Sequence, residues 1–175
     1  MKANLLPTAW LTVTALLPSA AALGAGLEDL PKRKPGLWEM STTSAGNKGA
    51  PAISKVCIDA TTDRELMNFG LGVANQLCSK RDIKVTGTVA TLNMVCTIGN
   101  SQSTSRSTIA YTGNTAYRAE VRAHFEPPFL GQSDSTTTQQ AKWTGPCPSD
   151  MKPGDLVTGN GVKINLRDLA AGSKK

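Results

Sequence analysis

One histidine in 175 residues leaves little room for chemistry that needs imidazole. A serine or cysteine hydrolase wants a nucleophile, a base and an orienting group. His124 would have to be the histidine base, and no Gly-x-Ser-x-Gly elbow accompanies it. It sits in Arg118–Glu120–Arg122–His124, the polar half of an alternating run, so it reads as a solvated side chain. Close Cys-x-x-Cys pairs are missing. The four cysteines are 21, 18 and 51 residues apart, which argues against a zinc site. Asp150 and Asp155 are too sparse for a calcium loop, which needs many oxygen ligands close together. Aromatic residues make up only 5% of the chain, with no basic-aromatic platform for stacking bases, so nucleic acid is not an expected partner. These absences point to a chain with no cofactor, no metal and no enzymatic activity.

One apolar stretch is present, at the start. Met1-Lys2 precedes a run from Leu5 to Leu23 without an acidic residue, and small residues follow. That is the pattern of a cleaved signal peptide. Ala20 and Ala22 suit the two small-residue positions, so cleavage after Ala22 is expected, with Gly24 and Ala25 as rivals. Pro7 and Pro18 weaken the alternative of a membrane-spanning helix. The expected organisation is a signal peptide over residues 1–22, a linker over 23–33, one β domain over 34–168 and a basic tail over 169–175. The expected location is the periplasm, with no transmembrane segment after cleavage. The formal charge of +6 falls by one when Lys2 leaves, a balance that permits weak contact with anionic partners.

All four cysteines fall after the signal peptide, and an even count in an exported chain argues for two disulfides. Three pairings are open. Gly87-Thr88 reads as a two-residue hairpin turn between Cys78 and Cys96. Pairing through that turn sets Ser79 opposite Cys96, and a single bulge between Cys78 and Ile83 would bring Cys78 onto the right face. The preferred pairing is Cys78–Cys96 with Cys57–Cys147. The alternative is Cys57–Cys78 with Cys96–Cys147.

Period-two alternation dominates the rest. Tyr117, Ala119, Val121, Ala123 and Phe125 share one face of a strand that Pro127-Pro128 should stop. Thr137, Gln139, Ala141 and Trp143 share a face of the last long strand. Thr62-Asp63-Arg64-Glu65 fits a capping box, followed by Leu66, Phe69, Val73 and Leu77 at helical spacing, with Gly70 and Gly72 keeping the helix short. The fold class expected is mainly β: about seven strands in a curved antiparallel sheet closing toward a barrel or small sandwich, with one short helix.

Lys34-Pro35-Gly36-Leu37-Trp38-Glu39 resembles the opening of the bacterial domain-of-unknown-function family numbered 3617. Val56-Cys57-Ile58, the cysteines flanking a hairpin, Trp143-Thr144-Gly145-Pro146-Cys147-Pro148 and Lys152-Pro153-Gly154-Asp155 extend the likeness over about residues 34–168. The resemblance implies a periplasmic protein and carries no catalytic residue.

Trp38 and Trp143 both point inward, where they would pack a core or face a ligand. The function expected is a non-enzymatic envelope interaction or binding module with an unidentified envelope partner. The alternative is a lipocalin-like carrier of a small apolar ligand, with Trp38 and Trp143 facing it. A third reading is a carboxylate-based hydrolase around Glu39, against which stands a solvent-facing Glu39 opposite a lysine or arginine.

Overall fold

The computed structural model describes residues 29–46 and 49–172, of which 170–172 by backbone alone. The expected signal peptide, the linker up to residue 28, and residues 173–175 of the tail lie outside them. Nine strands follow in the order β1 (Gly36–Ser44), β2 (Ala52–Ile58), β3 (Cys78–Thr86), β4 (Val89–Ile98), β5 (Ser101–Thr112), β6 (Ala116–Phe129), β7 (Gln132–Gly145), β8 (Asp155–Thr158) and β9 (Lys163–Asn165). Helix α1 (Ala60–Leu77) joins β2 to β3, and α2 (Leu166–Gly172) follows β9. The strands form one antiparallel sheet in the order β3-β4-β5-β6-β7-β1-β2-β8-β9. The sheet is curved but not closed, with β3 and β9 as its edges.

Hydrogen-bonded turns set most neighbours. Thr86 pairs with Val89 and Ile83 with Leu92, as a two-residue turn at Gly87-Thr88 requires. Gly87 and Gly99 hold φ of 58° and 60°, a left-handed backbone that glycine adopts without a Cβ penalty. The return of β7 onto β1 is the long-range step: Trp38 pairs with Trp143 across it. One face then collects Trp38, Val56, Ile58 and Ala141, all buried, with Met40, Leu66, Tyr117, Trp143, Leu156 and Leu166 packed around them. This core occupies the β7-β1-β2-β8 end of the sheet. On the same face further along, Ile83, Leu92, Met94, Ile109 and Val121 are only half-buried.

Three local expectations are corrected. The capping box at Thr62 is not formed. Asp59 is the N-cap, and its carboxylate accepts the Thr62 amide at 2.6 Å. Asp59 wins because a carboxylate satisfies an orphan amide and also suits the positive end of the helix. The helix is not short but eighteen residues long. Gly70 and Gly72 cost about 1 kcal/mol each, yet α1 is anchored by Asp59, Leu66 and an ion pair from Glu65 to Arg167 at 2.7 Å. Its length of about 27 Å also matches the crossing from β2 to β3, six places apart in the sheet at ~4.8 Å each. Pro127-Pro128 does not stop β6, which runs on to Phe129. What the prolines break is the ladder, whose register shifts between His124 and Phe129, because proline has no amide to donate.

Candidate functional site

The conspicuous sequence motifs converge on one corner, where they hold the chain rather than present it. The Lys34 carbonyl accepts the Trp38 indole N–H at 2.8 Å, and the Pro35 carbonyl accepts that of Trp143 at 2.9 Å. Between them Gly36 has φ of 132°, and a Cβ there would overlap the Gly145 carbonyl oxygen and the Trp143 indole nitrogen. Thr144 Oγ1 donates to the Leu37 carbonyl at 3.2 Å. Lys34 Nζ lies 3.7 Å from the centre of the Trp143 ring, a cation–π contact. Trp38 is only 1% exposed and belongs to the core, while Trp143 lies half-buried beneath Lys34. Arg33 forms an ion pair with Asp63 of α1, and its guanidinium lies 5.8 Å from the Trp38 ring centre.

The cysteines meet in two pairs at disulfide distance. Cys57 lies against Cys147, at a sequence separation of 90. Cys78 lies against Cys96, its register partner, with a register shift between Cys78 and Lys80. The tail motif closes the same corner. Asp155 accepts the Lys152 amide at 2.9 Å and the Asn165 side-chain amide at 2.8 Å, and these bonds hold its carboxyl below the usual carboxylate range. The Gly154 amide donates to the Cys57 carbonyl at 2.8 Å.

Several of the remaining acids are engaged by neighbours. Glu39 faces outward between Lys142 at 3.3 Å and Lys55 at 3.9 Å, opposite lysines as expected. The hydrogen bond from the Thr62 backbone amide is the main cause that lowers the Asp59 pKa. His124 lies on the wet face, its side chain 55% exposed, with Nδ1 2.9 Å from Asp134. Burial raises the pKa of Tyr111 and of Tyr117. Among the described residues no group of three His, Cys, Asp or Glu is placed to hold a metal ion, and no helix is long and apolar enough to cross a membrane.

Two grooves cross the outer face of the sheet, opposite the core. One, of about 460 Å³, runs over Glu39, Ala110, Arg118 and Lys142. The other, of about 430 Å³, spans β4 to β7 and includes Lys80, Arg106, Arg122, His124 and Asp134 in its lining. Neither groove includes Trp38 or Trp143. Sequence reading placed Arg122 and His124 on a wet face but did not single out Arg106 or Lys80. Arg106 lies within a Ser/Thr-rich strand, and the register that sets it opposite Arg122 is not legible in the residue pattern.

Fold and site together define a class: an open antiparallel sheet, pinned at one corner by motif residues and a cysteine pair, that leaves four long strands with a charged outer face. A family model described as "Protein of unknown function (DUF3617)" matches residues 33–147. The chain belongs to that family. No curated protein matches the chain, and no solved structure does.

Proposed function

We propose that this chain is exported to the periplasm and works there as a non-enzymatic binding module, with the outer face of β4–β7 as its recognition surface. The carrying observation is the division of labour in the sheet. The β7-β1-β2-β8 end holds the buried core and the motif residues. The long strands β4–β7, ten to fourteen residues each, instead carry an open charged groove. Two cysteine pairs at disulfide distance suit an oxidising compartment.

A second reading, the carrier of a small apolar ligand, has its own support. Phe69, Val73 and Leu77 follow Leu66 along one side of α1, yet they remain 37%, 39% and 46% exposed. With Leu92, Met94 and Val121 half-buried on the inner face, the far half of the sheet offers apolar surface without a sealed core.

Site-specific photo-crosslinking in the producing cell separates the two. A photoreactive residue at Thr104 reports the outer groove, and one at Val121 the inner face. Mass spectrometry of protein adducts and lipid extracts of the same sample should find adducts from Thr104. Adducts from Val121 alone would replace the module with the carrier; none from either position would overturn binding altogether. The same spectra should show a mature chain starting near Leu23, and an intact Met1 in the folded pool would overturn export.

A further inference from the structure

We infer that the groove across β4–β7 is a site for a phosphate-class anion, held between Arg106 and Arg122. This deepens the binding-module reading and rests on it. The strand register builds the site. Arg106 on β5 pairs with Arg122 on β6, so the two side chains rise next to each other from the same face. Like charges directly opposite one another destabilise a sheet unless something sits between them.

The neighbouring rung adds to the field. Thr104 pairs with His124, and His124 with Asp134. Lys80 reaches the same groove from β3. The lining therefore holds three fixed cations, Lys80, Arg106 and Arg122, and one carboxylate, Asp134, which lies 2.9 Å from His124. Outside the lining, Glu120 Oε1 takes two N–H groups of Arg122, each at 2.7 Å. That occupies part of one guanidinium and leaves its remaining donors unassigned. Among the described residues Arg106 and Lys80 have no ion-pair partner, whereas Lys84, Arg122 and His124 do.

Guanidinium is the matched receptor for a tetrahedral oxyanion. Its planar fork donates two parallel hydrogen bonds to phosphate oxygens, and two forks side by side can grip one phosphate from both sides. Thr104 and Thr136 in the same lining supply hydroxyl donors for a third oxygen. The volume exceeds what a bare phosphate fills, so the occupant is a phosphate borne by a larger group. A free phosphate ester and a phospholipid headgroup share this chemistry.

Titration calorimetry at constant ionic strength tests the site, with inorganic phosphate and pyrophosphate as probes and chloride as the reference anion. Both probes should bind the native protein at one site. Arg106→Gln and Arg122→Gln should each weaken binding about tenfold, as loss of a charge-assisted bidentate contact requires. Arg64→Gln, an exposed arginine of α1 outside both grooves, should bind like the native protein. In phosphate-free buffer Arg106→Gln should melt no lower than native, because it relieves a like-charge pair; this separates lost binding from lost fold. Native affinity in both arginine variants, or equal binding of chloride, overturns the site. Flotation with phosphatidylcholine vesicles, with and without phosphatidylglycerol, then distinguishes the sources. Retention on the anionic vesicles that Arg106→Gln abolishes assigns a lipid headgroup; phosphate binding without retention assigns a soluble ester. If phosphate fails to bind while Thr104 still yields adducts in the cell, the anion assignment falls and the binding module stands.

Discussion

Individual side chains in this protein act mostly as ties, and among the described residues Thr62 is the buried exception. Its hydroxyl is buried without a hydrogen-bond partner, because Asp59 has taken over the capping role that the Thr-x-x-Glu spacing suggested for it. A buried, unpaired polar group costs ~1–3 kcal/mol. Thr62→Val keeps the shape and removes the hydroxyl, so it should raise unfolding free energy by about 1 kcal/mol in urea titrations. Asp59→Ala should lower it by about 1 kcal/mol, the usual cost of a lost N-cap. Asp59 and Asp155 both have lowered pKa values from hydrogen bonds to amides, backbone amides first. A carboxylate lowered on folding stabilises above its unfolded value, near 3.8, and that contribution is lost as pH falls through the folded value. Stability should therefore drop on acidification below about pH 4. Asp155→Asn should flatten that drop in melts recorded across the range, and an unchanged slope would refute the assignment.

At the scale of elements, β1 shows why a short motif outranks the strand around it. Its alternation places Trp38 and Met40 on the core side, and that much is legible in the residue pattern. Gly36 is legible only as a glycine. The need for it comes from β7, whose Gly145 carbonyl and Trp143 indole fill the space a Cβ would take. Gly36→Ala combines a forbidden φ with that overlap, so it should cost more than ~2 kcal/mol. Gly46→Ala, at a loop glycine with nothing within 4 Å of its Cβ position, should cost less despite its positive φ. Paired urea titrations of the two variants check the order. Helix α1 teaches the converse. Its apolar spacing was visible, but its length was not, because the anchors Arg33 and Arg167 lie far from it in the chain.

Across the whole molecule, the two cysteine pairs do different work. Cys78 and Cys96 bracket one hairpin, which already brings them together. Cys57 and Cys147 enclose a separation of 90 residues and join β2 to the end of β7. In the chain-entropy account a closed loop of ~100 residues is worth about 4.7 kcal/mol and one of ~15 residues about 3. Cys147→Ser should therefore lower stability more than Cys96→Ser, measured by guanidinium denaturation of oxidised protein. Peptide mapping without reductant should recover Cys57 joined to Cys147, and a peptide joining Cys57 to Cys78 would refute the pairing.

By itself the sequence determined the local terms: period-two alternation, turn glycines, the bracketed hairpin, the cysteine count and the family. Each of these depends on residues near one another in the chain, where spacing translates directly into facing. Tertiary structure decided the rest. The pairing of β7 with β1 assembled the core. The crossing from β2 to β3 decided how long α1 had to be. The register of β5 against β6 set Arg106 opposite Arg122. Sequence spacing cannot report these, because a shift of one residue in a strand's register sends every side chain to the other face, and the register is settled by burial and turns summed over the whole sheet.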